Sequence, residues 1–351
     1  MSHDVTGAHT AVEVAPGGHA APVETSTNRK RTLIALAILG VLLLLVAAAF
    51  AWYLITKKPL TELPGLNREA MPSFSYSIYA VDQPMGVAVS DDGERVYVAQ
   101  VGGKQTVVEF DHRGNLLHTF AAPKNTKPGA VVPIYVAINP ATQDVYVTDR
   151  GTDAVYVYTQ DGTYKRTLKP KGLTGTFVPL GIAFSPDGQL YITEVGGKIH
   201  RVLVLDSQDT VVREIVAKGV PFAFPNGVAV DADGNVFVTD SNNGRLIAFD
   251  SHGNQLASVN RGIGEGDLGL PRGVAVDGDG RVVVIDTTNQ QIHAYRLIDT
   301  DRGKALEFIG ATGDEGIADG QFEYPNGAAM DSRSNVYVTD RENGRVQVWS
   351  W

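Results

Sequence analysis

The chain of 351 residues contains no cysteine. Disulfide bonds, thiolate metal sites and a cysteine nucleophile are therefore excluded. The sequence also lacks a P-loop and a G-x-S-x-G motif, so the usual signals for phosphate binding and for a serine hydrolase are missing. Helical periodicity is absent beyond one apolar run near the amino terminus, and the body is therefore expected to consist of strands.

The sequence has no excess of basic residues, and its net charge is −9. The first 58 residues carry five basic and three acidic side chains, which leaves 25 basic and 36 acidic side chains, a net charge of −11, in the rest. A body with this charge repels phosphate backbones. We therefore expect no nucleic-acid partner.

The amino-terminal region combines a polar tail with a long apolar run. Residues 1–28 are rich in small and polar residues without apolar periodicity, and they are predicted to be a disordered tail. A basic triplet at residues 29–31 precedes 23 apolar residues, from Leu33 to Ile55. About 20 such residues are enough to cross a membrane as a helix. We interpret residues 29–56 as a transmembrane signal-anchor helix with a basic flank.

The alternative for this segment is a cleaved signal peptide, because Ala49-Phe50-Ala51 resembles a cleavage site. Signal h-regions are usually shorter than this run, which favours an uncleaved anchor. The basic triplet favours a cytoplasmic amino terminus, although Lys57 and Lys58 flank the other end. The prediction is a single-pass protein of the cell membrane, with residues 57–72 as a tether and the body outside.

Six copies of one unit make up the body. Each copy begins with a proline, usually followed by a variable residue, glycine and an apolar run. The six prolines are Pro84, Pro133, Pro179, Pro225, Pro271 and Pro325. Further β-type segments bounded by glycine, aspartate and asparagine follow each apolar run, and a four-stranded unit at this period is a propeller blade. The sequence predicts an all-β, six-bladed β-propeller of four-stranded blades over residues 73–351, closed by a strand at residues 74–81.

The last three copies carry the most specific motifs. Gly313-Asp-Glu-Gly316, Tyr324-Pro-Asn-Gly327 and Val336-Tyr-Val-Thr-Asp340 resemble the repeat of the NHL family of β-propellers. The resemblance covers about residues 73–351, and blades 1 to 3 depart from it, with Gln100 and Glu194 where the pattern has aspartate. It implies the fold and leaves the function open, because the family includes enzymes, RNA binders and protein-interaction modules.

Acidic turns in the repeats resemble the first half of a calcium loop. Asp231-Ala-Asp-Gly-Asn235 and Asp277-Gly-Asp-Gly-Arg281 have the initial spacing, but the twelfth positions are Asn242 and Thr288 instead of glutamate. We interpret the segments as hairpin turns. The aspartates that close four second strands are expected to cap the turn that follows, and they are Asp149, Asp240, Asp286 and Asp340. No metal site and no cofactor are predicted.

The candidate ligand site lies at the mouth of the channel. First strands begin and second strands end on one face of a propeller, so the residue after each proline is expected there. These residues are Met85, Ile134, Leu180, Asn226, Arg272 and Asn326. Arginine between two asparagines suits a carboxylate or carbonyl group, the other half is apolar, and Arg150 and Arg341 would extend the positive patch. The simpler alternative, which the residue types favour, is that the asparagines cap their own loops and the arginine pairs with a nearby carboxylate.

The function predicted from these features is a membrane-anchored extracytoplasmic NHL-repeat propeller that acts as a binding or scaffold module for a protein or peptide. The alternative is a metal-dependent propeller enzyme, lactonase-like or lyase-like, with its site at the channel mouth. The resemblance implies channel histidines as zinc ligands in lyases, whereas no histidine follows a repeat proline here. A lactonase-like cation site would need Glu194 and Asp240 to contribute. No catalytic residue is assigned.

Overall fold

The computed structural model describes residues 26–56, 71–123, 126–127 and 129–351. It contains two compact units, which divide after residue 67. Helix α1 (Ser26–Thr56) belongs to the first unit, and three residues of the predicted tail are therefore helical. By length and composition, α1 could cross a membrane, as both an anchor and a signal sequence do. The rest of the tail, and the tether apart from Met71 and Pro72, lie outside the described residues.

The second unit consists of strands in six four-stranded antiparallel sheets. Blade 1 comprises β2 (Pro84–Val89), β3 (Arg95–Gln100), β4 (Val107–Asp111) and β5 (Leu116–Thr119). Blade 2 comprises β6 (Pro133–Ile138), β7 (Val145–Asp149), β8 (Ala154–Tyr158) and β9 (Tyr164–Thr167). Blade 3 comprises β10 (Pro179–Phe184), β11 (Leu190–Glu194), β12 (Arg201–Leu205) and β13 (Val211–Ile215).

The remaining blades follow the same order. Blade 4 comprises β14 (Pro225–Val230), β15 (Val236–Asp240), β16 (Arg245–Phe249) and β17 (Gln255–Val259). Blade 5 comprises β18 (Pro271–Val276), β19 (Arg281–Asp286), β20 (Gln291–Thr300) and β21 (Gly303–Thr312). A short parallel pair, β22 (Asp314–Glu315) and β23 (Gln321–Phe322), precedes blade 6, whose strands are β24 (Pro325–Met330), β25 (Val336–Asp340), β26 (Arg345–Ser350) and β1 (Ser73–Ile78).

The innermost strand of every blade contacts the innermost strands of both neighbours, and β24 contacts β2. The strands therefore form a closed ring in which the last blade takes its outer strand, β1, from the beginning of the unit. Each inner strand starts on its repeat proline, a position where the missing backbone N–H is tolerated. The predicted fold class, a six-bladed β-propeller of four-stranded blades preceded by one apolar helix, is confirmed.

The apolar core is divided among the interfaces between neighbouring blades. Six clusters of buried side chains fill the six interfaces, and their members are mainly valine, isoleucine, leucine and tyrosine from facing sheets. Inner-strand glycines permit close approach at the centre: a Cβ atom on Gly273 would lie 2.5 Å from the Asn326 carbonyl oxygen. Threonine hydroxyls also cross the interfaces, and Thr148 donates to the Leu180 carbonyl at 2.7 Å. Neighbouring blades are thus held together by packing and by hydrogen bonds.

The acidic turns are hairpin turns, as predicted. Asp231 Oδ1 accepts hydrogen bonds from the backbone N–H groups of Asp233 (3.0 Å) and Asn235 (2.7 Å), and its Oδ2 accepts one from the Asn235 amide at 2.8 Å. Gly234 supplies the left-handed conformation, with φ of 79°. The turn joins β14 to β15, so the oxygens that would face a cation in a calcium loop are directed to the chain itself.

Candidate functional site

The residue that closes each second strand binds the loop that precedes the first strand of the same blade. The N–H donors are those of Asp82, Val132, Val178, Ala223, Gly269 and Glu323, and the acceptors are respectively Gln100, Asp149, Glu194, Asp240, Asp286 and Asp340. Gln100 and Glu194, which depart from the repeat pattern, therefore have the same role as the aspartates. These bonds bring the two sets of loops to one face of the propeller, where the candidate site was expected.

The predicted capping of the turn that follows is confirmed for two of the four aspartates. Asp149 accepts from the Thr152 N–H at 2.9 Å, and Asp286 accepts from the Thr288 N–H at 3.2 Å. Asp240 and Asp340 instead accept from side chains of the following segment, which are those of Asn243, Arg245, Asn343, Arg345 and Gln347. In every case the carboxylate is buried and is used by the loops that surround the mouth.

Tyr135 occupies the centre of the channel mouth. It takes the place of the glycine found at the third position of the other five inner strands. Its side chain is 8% exposed, and its hydroxyl lies within hydrogen-bonding distance of Asn226 Oδ1 and of Asn326 Oδ1, the latter at 3.0 Å. The ring therefore reaches from blade 2 to blades 4 and 6. A phenol has a single proton, so it can donate to only one of the two carboxamide oxygens at a time.

Arg272 belongs to blade 5, which stands opposite blade 2 in a ring of six. Burial raises the pKa of Tyr135, while the charge of Arg272 acts on it in the opposite direction. Arg272 is half-buried, and its Nε is buried without a hydrogen-bond partner. The guanidinium makes no ion pair within the part of the chain that the structure describes. The alternative interpretation, in which Arg272 pairs with a nearby carboxylate, is therefore not seen among the described residues.

The hydrogen bonds of the two asparagines also differ from those of the simpler interpretation, in which each side chain caps its own loop. Asn226 and Asn326 are each 3% exposed, and their side-chain oxygens face Tyr135 across the channel instead of capping their own loops. They meet on one hydroxyl although they lie 91 and 191 residues away from it in the chain. Asn226, Asn326 and Arg272, which were predicted to share the mouth, are therefore brought together by a residue that was not predicted.

The apolar half of the predicted site is packed against the same tyrosine. Ile134 and Leu180 are buried in one cluster with Tyr135, and the partly buried Met85 packs against that cluster. Phe224, the residue before the proline of blade 4, packs there as well. These apolar side chains therefore pack in the same cluster as the tyrosine.

The two outer arginines have different surroundings. The exposed Arg150 places its guanidinium carbon 5.3 Å from the centre of the Phe224 ring, a cation–π arrangement that brings it to the mouth. Arg341 is half-buried, its Nε has no hydrogen-bond partner, and one terminal nitrogen lies 3.6 Å from a carboxylate oxygen of Glu342. Arg150 joins the central cluster, whereas Arg341 is partly neutralised by its neighbour.

Sequence reasoning missed Tyr135, Phe224 and Tyr324. Tyr135 could have been found, because a bulky residue replaces glycine in one of six aligned copies. Phe224 and Tyr324 each precede a repeat proline with positive φ, 64° and 54°, and Tyr324 is 55% exposed. Nothing in the local sequence predicts that conformation for an aromatic residue.

The donor set at the mouth does not fit the metal of a lyase-like or lactonase-like propeller. The residues around Tyr135 offer amide and phenol oxygens and a cation. One imidazole, that of His200, lies beside Phe224, and its Nδ1 is used to accept the Phe224 N–H at 2.9 Å. Glu194 accepts from the backbone N–H of Val178 and of Gly196, and its second oxygen lies 3.3 Å from Arg201. Asp240 is similarly bound by its loops. Within the described ranges, no three His, Asp or Glu residues are grouped so that they could hold an ion.

Comparison with known proteins places the strongest similarity in the last three blades, as the motifs predicted. Residues 222–249, 268–295 and 322–349 match the NHL repeat. Mouse NHL repeat-containing protein 3 is 29% identical over 180 residues, which cover 47% of this chain and 51% of that protein. A probable peptidyl-alpha-hydroxyglycine alpha-amidating lyase of Caenorhabditis elegans is 31% identical over 104 residues, 27% of this chain and 29% of that protein. The chain thus spans about half the length, or less, of these curated relatives.

Among solved structures, virginiamycin B lyase from Staphylococcus aureus is similar with a TM-score of 0.52. The sequences are 16% identical, and the match covers 80% of this chain and 99% of the other. At this identity the likeness shows the fold alone. The chain is a six-bladed β-propeller with NHL repeats in its fourth, fifth and sixth blades.

Proposed function

We propose that this protein is a membrane-anchored binding module whose propeller lies outside the cytoplasm. Its channel mouth receives a carboxylate of a protein or peptide partner. The length and composition of α1 support the anchor, and the basic triplet on its amino-terminal side supports the orientation. The acidic surface of the body argues against a nucleic-acid partner.

The observation that carries the proposal is the half-buried Arg272 guanidinium without an anionic partner among the described residues. A buried polar group without a partner is costly, and charged groups are the most costly. A carboxylate matches the planar guanidinium with two parallel hydrogen bonds. The carboxamides of Asn226 and Asn326 stand beside it and could donate further hydrogen bonds to the same ligand.

The rim of the mouth has the side chains that recognise proteins. Arginine, tyrosine and other aromatic residues dominate the energetics of protein interfaces. Arg150 stacked on Phe224 and the exposed Tyr324 provide this chemistry in the loops next to the repeat prolines and the second-strand ends. Loops on a rigid scaffold are common binding elements.

A binding role is preferred to catalysis because the acidic side chains at this face, Glu194 and Asp240, are already used by their own loops and by neighbouring arginines. The similarity to the amidating lyase and to virginiamycin B lyase supports the propeller fold, and it does not support a shared reaction.

The proposal is tested with the full chain in lipid nanodiscs and two peptides that differ only at the carboxyl terminus. One peptide ends in a free carboxylate and the other in a carboxamide, and binding is followed by fluorescence anisotropy. We expect the carboxylate peptide to bind at least about tenfold more tightly, which corresponds to about 1.4 kcal/mol. Arg272→Gln should abolish this preference.

Arg302→Gln is the control, because it removes the same charge from an exposed turn between β20 and β21. It should retain the preference of the unaltered protein. Equal affinity for the two peptides, or a preference that survives Arg272→Gln, would contradict the proposal.

A further inference from the structure

Two bulky apolar side chains are exposed on the loops that lead to the inner strands of blades 5 and 6. Ile263 lies in the loop between β17 and β18, and Ile317 lies between β22 and β23. Each stands eight residues before the repeat proline of its blade. Ile263 is fully exposed and Ile317 is 77% exposed. The same position is thus apolar in two neighbouring blades, on the face where the first strands begin.

The loop around Ile317 is fixed by hydrogen bonds on both sides of the isoleucine. The Asn343 amide donates to the Gly316 carbonyl oxygen at 2.9 Å, and the buried Arg345 guanidinium donates to the Ala318 carbonyl oxygen at 2.7 Å. The backbone on each side of Ile317 is therefore held by blade 6, and the side chain is kept in solvent. An apolar group that is already fixed loses little conformational entropy on binding.

The loop around Ile263 has a similar construction. The Gly262 N–H donates to the Leu268 carbonyl oxygen at 3.4 Å, and the Gly264 N–H donates to Asp267 Oδ2 at 2.8 Å. Leu268 is fully buried in the apolar core between blades. Ile263 is therefore presented by a turn that is bound to itself and anchored in the core.

A groove of about 760 Å³ lies between Ile263 and the strand that leads to Ile317. Ile263 lines this groove together with Ile309 and Ala311 of β21. β21 ends at Thr312 and continues into the loop that contains Ile317. A chain segment that contacts both exposed isoleucines can therefore place an apolar side chain in the groove.

The loop of Ile317 carries negative charge with little compensation. Residues 313–324 contain four acidic side chains and no lysine or arginine. Asp314 and Glu315 are exposed and form no ion pair among the described residues. Asp319, whose side chain is 62% exposed, lies 3.6 Å from the Arg345 guanidinium, which already pairs with a buried aspartate. An exposed apolar patch with a charged rim is typical of a protein-interaction surface, and the sign of this rim selects a basic partner.

Two other occupants conflict with this rim. Carboxylates oppose docking on an anionic lipid surface. A second copy of the chain that used the same surface would place like charges against one another, which costs affinity. A protein segment with basic and apolar side chains has neither conflict.

We propose that the isoleucine patch, defined as Ile263, Ile317, Asp314, Glu315 and Asp319, binds a segment of a partner protein in which lysine or arginine residues stand beside large apolar ones. The apolar side chains contact the two isoleucines and enter the groove, and the basic side chains pair with the carboxylates. The patch contains none of the channel-mouth residues, so this inference does not rest on the carboxylate site proposed above.

The test uses the full chain in nanodiscs of zwitterionic lipid, with the isoleucine δ1-methyl groups labelled by ¹³C. The probe is a short peptide of alternating lysine and leucine, acetylated and amidated so that it has no terminal charge. We expect the probe to shift the methyl resonances of Ile263 and Ile317 saturably, with a Kd of about 1 mM or tighter. Ile199, which is 67% exposed in blade 3 but follows Lys198, should not shift. Empty nanodiscs correct for binding of the probe to lipid.

Two matched peptides separate the contribution of charge from that of apolar contact. Replacement of every lysine by glutamate reverses the charge, and replacement of every leucine by serine removes the apolar groups. Each of these peptides should bind at least about tenfold more weakly than the probe, because each loses one of the two interactions that the patch provides.

Variants of the exposed apolar residue provide the first matched pair. Ile317→Ser removes the apolar side chain from a fixed loop, and we expect about tenfold weaker binding of the probe, followed at the Ile263 methyl group. Ile199→Ser is the control, because it makes the same change at an exposed isoleucine beside a lysine. It should bind the probe as the unaltered protein does.

Variants of the carboxylates provide the second pair. Asp314→Asn combined with Glu315→Gln should weaken binding about threefold. The control combines Asp301→Asn with Glu307→Gln, which removes the same two kinds of exposed carboxylate from the β20–β21 hairpin. Arg272→Gln should leave binding of the probe unchanged, so that failure of this proposal and failure of the carboxylate site give different results.

The proposal would be overturned if the probe left the Ile263 and Ile317 resonances in place or shifted Ile199 equally. Equal binding of the lysine and glutamate peptides would also overturn it. Shifts of the two resonances on dilution of the protein alone would assign the patch to a second copy of the chain, and shifts on addition of anionic lipid would assign it to the membrane surface; either result contradicts a basic protein partner.

Discussion

At the residue scale, Tyr135 has the largest structural consequence for the channel. Five of the six inner strands have glycine at the position of Tyr135. Backbone atoms of the neighbouring inner strand lie where a Cβ atom of each glycine would be. In blade 2 the phenol ring instead projects into the channel and connects three blades through Asn226 and Asn326. Burial raises the pKa of Tyr135, so its hydroxyl stays protonated and keeps its hydrogen bond at physiological pH.

Tyr135→Phe should lower the free energy of unfolding by about 1–2 kcal/mol at neutral pH, because the buried carboxamide oxygens of Asn226 and Asn326 lose the one hydroxyl proton that they share. Above about pH 10 the unfolded chain releases the Tyr135 proton while the folded protein retains it, so the unaltered protein loses up to about 1.4 kcal/mol per pH unit from this residue. The variant has no such contribution. Its deficit in urea unfolding should therefore shrink between about pH 8 and about pH 11.

Tyr164→Phe serves as the matched control, because Tyr164 is exposed and its hydroxyl lies 2.8 Å from the Thr167 hydroxyl. It should change stability by less than about 0.5 kcal/mol. A deficit of Tyr135→Phe that is the same at both pH values would show that the phenol proton is not held as the structure implies.

At the scale of elements, the recurring feature is the residue that closes each second strand and accepts a hydrogen bond from the loop before the first strand of the same blade. In blade 6, Asp340 accepts from the Glu323 N–H at 2.7 Å and from Arg345 Nε at 2.8 Å. Arg345 is 3% exposed, and it also donates to the carbonyl oxygens of Ala318 and Gln321. The carboxylate thus fixes the loop before β24 and the start of β26 at the same time.

Asp340→Ala should destabilise the protein by about 3–5 kcal/mol, because it leaves the Arg345 charge buried without its partner. Asp319→Ala is the comparison: Asp319 lies 3.6 Å from the same guanidinium, but its side chain is 62% exposed. That change should cost less than about 1 kcal/mol. Urea unfolding measures both, and similar losses for the two variants would refute the distinction between the buried and the exposed carboxylate.

The strands themselves could be predicted because their signals are local. Proline, glycine and β-branched residues recur at the same places in each copy, and they bound segments that can only be strands. The departures at Gln100 and Glu194 could not be interpreted in the same way. Whether a longer side chain reaches the loop before the first strand depends on the backbone of both segments, and the structure shows that it does.

At the scale of the whole molecule, the ring is closed by pairing of β1 with β26, so the two ends of the propeller meet in one blade. This leaves no inner strand without a neighbour on either side. The propeller follows an apolar helix that suits an anchor or a signal sequence. The proposed location of the propeller outside the cytoplasm can be tested by cysteine labelling, because the chain has no cysteine of its own.

Single cysteines at Ser2 and at the exposed Ile317 should respond differently to an impermeant maleimide. In intact cells the Ile317→Cys protein should be labelled, and the Ser2→Cys protein should be labelled only after permeabilisation. The labelled protein should be full-length and in the membrane fraction, since a cleaved signal peptide would give a shorter, released product. Labelling of Ser2→Cys before permeabilisation would reverse the proposed orientation.

The amino-acid sequence by itself determined the propeller, because a period of strands and turns is written in residues close together in the chain. It also identified Asn226, Arg272 and Asn326 as residues of one face, since the repeat assigns every copy the same position. Only the tertiary structure decided what lies between them. The hydroxyl of Tyr135 meets two asparagines that are 91 and 191 residues away in the chain. Such contacts depend on how the closed ring brings distant side chains together, and no local sequence pattern encodes which of these side chains will meet.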